Sequence, residues 1–121
     1  TEISSGELLD KITILEIKLN NIKDKEKLVE INKEYKSLED TRKSNIEITE
    51  KLQKLINELK DINLKLWNIE EEKRMCEKNA DFGKNFIQLS RNVYLNNDKR
   101  AKIKSDINKL LGSNIKEIKS Y

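Results

Sequence analysis

Glu7 and Asp10 stand three residues apart with Lys11 beside them, and Glu70 and Glu71 precede Arg74 later in the chain. On a helix, carboxylates at that spacing share a face. Two such helices side by side are how all-helical nucleotide pyrophosphohydrolases hold magnesium, and Glu7-Leu-Leu-Asp10 has their Glu-x-x-Asp spacing. The second helix of such a site needs a paired Glu-x-x-Glu, and here Arg74 stands where the second carboxylate belongs. Glu7, Asp10, Glu70 and Glu71 are therefore metal candidates only under a magnesium-dependent reading, and no cofactor is expected otherwise. The competing reading has Glu7 capping a helix, Asp10 and Lys11 in solvent, and Glu70 to Glu72 as a charged face.

A second constellation is cationic. Arg91, Tyr94 and Asp98 recur at steps of three and four, and Arg100 pairs with Lys104. Set beside the amide hydrogens of Ser5 and Gly6 at a helix start, such a basic rim suits a small anion, a nucleotide or a nucleotide-sugar. The ligand candidates are Ser5, Gly6, Lys11, Trp67, Arg91, Tyr94, Asn97, Asp98, Arg100 and Lys104. The alternative is internal: Arg91 bonds Glu70 or Glu71, Tyr94 packs on Trp67, and Asn97 or Asp98 caps a last helix. The chain has no histidine, so histidine acid-base chemistry is excluded, and the lone Cys76 has no imidazole to activate it. Cys76 is expected to be buried on a helical seam. Lys99, Arg100, Lys102 and Lys104 point to different sides of a helix and lack stacking aromatics, which argues against nucleic acid.

What must position these residues is helical. Charged residues make up 39% of the 121 residues, proline is absent, and the only glycines are Gly6, Gly83 and Gly112. That is the profile of long, solvent-washed helices. Residues 1–78 carry 16 basic and 18 acidic side chains and residues 79–121 carry 9 and 4, so the basic part is the last third. No apolar run approaches the roughly 18 residues of a membrane span, and residues 1–10 lack a signal-peptide pattern. A cytoplasmic location and a single all-helical domain over 1–121 are expected.

Ser4-Ser5-Gly6-Glu7 reads as a capping box, with Ile3 and Leu8 as its hydrophobic staple. From there Leu8, Ile12, Leu15, Leu19 and Ile22 form an apolar stripe that Leu9, Ile14 and Ile17 widen, so the first helix belongs to the core. A break is expected at 23–25, with Asp24 capping a helix that carries Leu28, Ile31, Tyr35 and Leu38. Ile48, Leu52, Leu55, Leu59, Ile62, Leu66 and Ile69 then alternate by fours and threes, a coiled-coil-like seam. Folding the second helix back through a turn at 40–45 sets Leu38 opposite Ile48 and Leu28 opposite Leu59 in one antiparallel register. Asp81 caps a fourth helix with Phe82, Phe86, Leu89 and Val93, the chain recaps near Asn96-Asn97-Asp98, and a fifth helix ends at Gly112. The expected fold is an all-α helical bundle around a long antiparallel helical hairpin, with about five helices: 5–22, 25–41, 45–78, 82–96 and 98–111. The tip at residues 38–48 is the exposed end, the aromatic half forms a globular head, and no segment reads as a strand.

The run from Ile3 to Lys18, the Leu66-Trp67 pair with Glu70 and Arg74, and Phe86, Arg91, Val93-Tyr94, Asn97-Asp98, Arg100-Ala101, Lys104 and Ile107-Asn108 resemble an uncharacterised family of small bacterial and phage proteins. Gly112-Ser113 and the closing Lys119 to Tyr121 extend the likeness to nearly the whole chain. Relatives often carry proline after the aspartate at position 24, where this chain has Lys25. The resemblance implies an accessory role near glycosyltransferase-like or surface-polysaccharide proteins. With no complete catalytic constellation, the expectation is a non-enzymatic helical interaction protein with a protein partner or a second copy. Nucleotide or small-anion binding at the head is the alternative, and it leaves open whether the chain is an enzyme.

Overall fold

The computed structural model describes residues 2–112 and 114–116; Ser113 and the closing Lys119 to Tyr121 lie outside them. The order is β1 (Glu2–Ser4), α1 (Ser5–Asn21), α2 (Lys25–Asn45), α3 (Glu50–Lys78), α4 (Lys84–Leu111) and β2 (Asn114–Lys116). The chain is an all-α bundle with a long antiparallel hairpin, as the periodicity predicts. The described residues hold four helices, one fewer than expected, and a minimal sheet that the sequence did not signal, with Ile3 opposite Ile115. Three residues are too few for alternation to register as a strand pattern.

α1 is the central element and packs on the other three helices. Leu8, Leu9, Ile12, Leu15 and Ile17 are buried on it, each contributing about 1.5–3 kcal/mol on leaving water. Ser4 Oγ accepts the Glu7 amide hydrogen at 3.1 Å, half of the capping box, and the staple residues Ile3 and Leu8 share the core cluster. Ile22 to Asp24 form a true loop, with Asp24 Oδ1 accepting from the Glu26 amide at 3.0 Å.

The long hairpin is α3 with α4, not α2 with α3. α2 lies against α1, while α3 and α4 run side by side. Buried Leu52, Leu59, Ile62, Leu66 and Cys76 continue one seam along α3, and Cys76 sits where that seam places it. The turn expected at 40–45 is instead the last turn of α2, held by Asn45 Nδ2 donating to Thr41 O at 2.7 Å. Thr49 caps α3, with its hydroxyl accepting from the Leu52 amide at 3.3 Å. Ile48 therefore precedes the helix and is exposed, while Leu38 and Ile46 are core. The exposed end of the molecule is accordingly the α3–α4 turn at 79–83.

α4 is continuous through Asn96-Asn97-Asp98. Leu89, Val93, Asn96, Arg100, Ile103 and Ile107 keep the four-three alternation, and all six are buried or half-buried. Two polar side chains on the seam hid that continuity: Asn96 Nδ2 donates to Asn92 O within the helix, and Arg100 reaches across to α1. α4 starts at Lys84 behind Gly83, and Asp81 accepts from the Gly83 amide, closing the turn without capping the helix. Gly112 ends α4 in the left-handed conformation, φ 69°, as its position predicts.

Candidate functional site

Asp10 is the centre of the polar constellation. It projects from the first turns of α1 onto α3 and α4 and is 1% exposed. Oδ1 accepts from Asn63 Nδ2 at 2.9 Å, and Oδ2 lies 3.1 Å from Arg100 Nη2 and 3.5 Å from Lys104 Nζ. Asn63 also donates to Thr13 Oγ1 at 2.8 Å, and the Thr13 hydroxyl donates to Asp10 O. Lys104 Nζ donates to Glu7 Oε2 at 2.5 Å. That hydrogen bond above all, with the nearby cations Lys104, Lys11 and Arg100, holds the Glu7 carboxyl below its ordinary value against the opposing pull of burial.

Of the predicted ligand residues, the structure brings Gly6, Arg100 and Lys104 together at the amino end of α1, with Ser5 buried and Lys11 half-buried nearby. The Gly6 amide donates to Asn108 Oδ1 at 2.7 Å, so an α4 side chain occupies the position an anion would take. A Cβ on Gly6 would come within 2.5 Å of the Lys104 carbonyl oxygen, so glycine is required for α4 to approach this closely. Two cations face two carboxylates, and no buried side-chain polar atom among the described residues lacks a partner. Chemically the cluster is a tie between helices, and Asp10 is buried in it where one sequence reading left it in solvent.

Of the other candidates, Trp67, Glu70 and Glu71 line a shallow groove with Asn63 and Arg100 of the cluster, while Arg91, Tyr94, Asn97 and Asp98 lie apart. Glu70 and Glu71 are exposed on α3, with Glu71 Oε1 2.9 Å from Arg74 Nη1. No three His, Cys, Asp or Glu side chains converge as a metal site among the described residues. Trp67 is half-buried in a groove with Ile14, Ile17 and Leu66, whereas Tyr94 is 68% exposed beside Phe86, Ile87, Ser90, Arg91 and Leu95. The aromatic head expected from Trp67, Phe82, Phe86 and Tyr94 therefore does not form. Phe82 and Phe86 pair edge to face, with centroids 5.3 Å apart. Asn97 and Asp98 are exposed in mid-helix and cap nothing.

Two features escaped sequence reasoning. Because α1 separates α2 from α3, a cleft of about 220 Å³ opens between them over Leu9 and Ile12. On its rim Tyr35 Oη donates to Glu16 Oε1 at 3.4 Å, Lys60 pairs with Glu16 at 2.6 Å, and Arg42 forks onto Glu39 at 3.1 and 3.2 Å. Burial, then the charges of Glu16 and Glu39, push the Tyr35 hydroxyl up. Only Tyr35 carried a signal, as a polar-tipped residue at an apolar position of α2. The second feature is the α3–α4 end. Among the described residues, five of the nine large exposed hydrophobics, Met75, Phe82, Ile87, Tyr94 and Leu95, fall there.

Fold and site together define a helical protein whose polar cluster is spent on packing and whose apolar surface collects on a projecting hairpin. A family model, described as a family of unknown function (DUF6165), matches residues 1–121, and the chain belongs to that family. Comparison with curated proteins and with solved structures gave no match. No helix among the described residues is long and apolar enough to cross a membrane.

Proposed function

We propose that this protein is a helical accessory protein without catalytic activity of its own, and that the α3–α4 end is an arm that docks on another polypeptide. The observation that supports this reading is the apolar strip on α4. Phe86, Ile87, Ser90, Arg91, Tyr94 and Leu95 line one shallow groove, and Ile87, Tyr94 and Leu95 are 57%, 68% and 54% exposed. Contiguous apolar surface of this kind, rimmed by polar residues, marks interaction sites. The arm is also anchored at its base. The ion pairs and hydrogen bonds from α4 to α1 lie between Arg100 and Asn108, and Lys84–Lys99 projects about 24 Å from there.

Capture on the immobilised chain tests this. The variant Ile87→Glu with Leu95→Glu is expected to hold back at least tenfold less of the partner than the wild type, while Lys33→Glu on exposed α2 holds as much. An arm variant that captures the same proteins in the same amounts would remove the arm from the function.

A further inference from the structure

Three helices build the cleft between α2 and α3. Tyr35, Glu39 and Arg42 stand at steps of four and three on α2, and Ile56 and Lys60 stand four apart on α3, so each helix turns one face into the gap over Leu9 and Ile12 of α1. Half-buried Ile56 and Ile48, which is 41% exposed, supply an open apolar wall. At about 30 Å³ for a water molecule in the liquid, the 220 Å³ of the cleft hold roughly seven groups of that size.

The rim is balanced in charge but not in hydrogen bonding. Glu16 meets Lys60 and Glu39 meets Arg42, so two carboxylates face two cations. Each carboxylate oxygen already has a donor: Glu16 Oε1 has Tyr35, Glu16 Oε2 has Lys60, and both Glu39 oxygens have Arg42. Donors are left over. Arg42 commits Nε and Nη2 to Glu39, which leaves the Nη1 edge of its guanidinium, and Lys60 directs one ammonium hydrogen at Glu16. Tyr35 is only loosely engaged, at 3.4 Å from Glu16, beyond the roughly 2.5–3.0 Å of a well-made O–H···O bond. Burial above all keeps its hydroxyl protonated, and so a donor.

We infer that this cleft binds a small uncharged molecule with an apolar body and one carbonyl-type acceptor oxygen, about seven non-hydrogen atoms in all. The body lies against Ile48 and Ile56, and the oxygen accepts from the Tyr35 hydroxyl and the free edge of Arg42. An apolar wall with a few placed polar groups is the ordinary make-up of a small-molecule site. A charged ligand would find each rim charge already paired, and an unpaired charge in a half-buried cleft is costly. A ligand ending in donors would meet donors. The cleft shares no residue with the strip on α4, so this inference stands apart from the docking arm.

Cyclohexanone, cyclohexanecarboxylate and cyclohexylammonium share one ring and differ in charge and in their hydrogen-bonding end. Each is titrated at neutral pH into the isotope-labelled full chain, followed by the amide signals in nuclear magnetic resonance. Cyclohexanone is expected to shift the signals of residues 9–16, 35–42 and 53–60 and to saturate in roughly the millimolar range, as suits so few atoms. The two charged rings bind about tenfold more weakly. Tyr35→Phe removes a donor without altering the apolar wall and weakens the ketone severalfold. Gln53→Trp, at an exposed position on the edge of the cleft, fills the opening and abolishes binding, with circular dichroism unchanged in both variants. No shift with any of the three rings overturns the cleft as a site. A carboxylate that binds more tightly than the ketone overturns the uncharged ligand, and an ammonium that binds as tightly overturns the argument from donors. Binding that survives Gln53→Trp lies elsewhere and overturns the inference.

Discussion

Asp10 shows how a single side chain changes meaning once it has neighbours. In the sequence it is one carboxylate beside Lys11; in the fold both of its oxygens are committed, to Asn63, Arg100 and Lys104. Burying a charge is costly unless it is paired and hydrogen-bonded, and removing one partner exposes that cost. Asp10→Asn keeps the shape but removes the charge that Arg100 and Lys104 face. It is expected to destabilise the protein by about 2 kcal/mol, less than the roughly 3–5 kcal/mol of fully buried pairs because both cations keep some contact with water, as read from the denaturant midpoint. Glu7 belongs to the same tie but is more open, its side chain 40% exposed. Its folded pKa lies below the ordinary 4.5. Its contribution is thus fully present above that value and is lost as the pH falls through 4.5 and then through the lowered folded value. The thermal midpoint should be level from about pH 8 to pH 6 and fall below about pH 4.5. Glu7→Gln should make that fall shallower, and an unchanged acid limb would remove Glu7 from it.

At the scale of elements, caps were the most legible signals and interior breaks the least. Ser4, Asp24 and Gly112 each act on atoms a few residues away, so the local sequence contains the whole interaction. Asn97 and Asp98 are cap-type residues too, but a cap functions only where the chain stops being helical. The seam against α3 carries α4 straight through them. The α3–α4 turn is the reverse case, a helix end without glycine. Ala80 takes φ 53°, with its amide bonded to Glu77 O at 3.1 Å and the Asp81 amide to Cys76 O at 2.8 Å, the Schellman arrangement in which glycine is usual. A Cβ in that conformation costs roughly 1–2 kcal/mol. Ala80→Gly should therefore raise stability by about 1 kcal/mol, or roughly 4 °C in the calorimetric midpoint. A lower midpoint would show that the alanine carries no strain.

For the whole molecule, length decides where the apolar surface is left open. α1 has 17 residues and α3 has 29, about 26 and 44 Å. Even laid along the hairpin, α1 covers little more than half of it. The distal arm keeps only the packing of α3 on α4, and regions with few buried contacts open first. Amide hydrogens of 86–95 should exchange faster than those of 55–66 in dilute solution. Equal protection of the two segments when dilute would contradict the open arm.

The sequence by itself determined the helical class, the core position of α1, a break near Asp24, the seam of α3 and the end of α4. Each is written in periodicity or in a cap, and both act over one or two turns of chain. Which helices pair was decided only by the tertiary structure. α2 and α4 both offer α3 an apolar stripe in a consistent antiparallel register, joined to it by turns of similar length, and periodicity cannot choose between them. The choice follows from α1, which packs on all three and lies between α2 and α3. That choice also decided the site. It set Asp10, Arg100 and Lys104 in a tie between helices, and it left the strip from Phe86 to Leu95 uncovered.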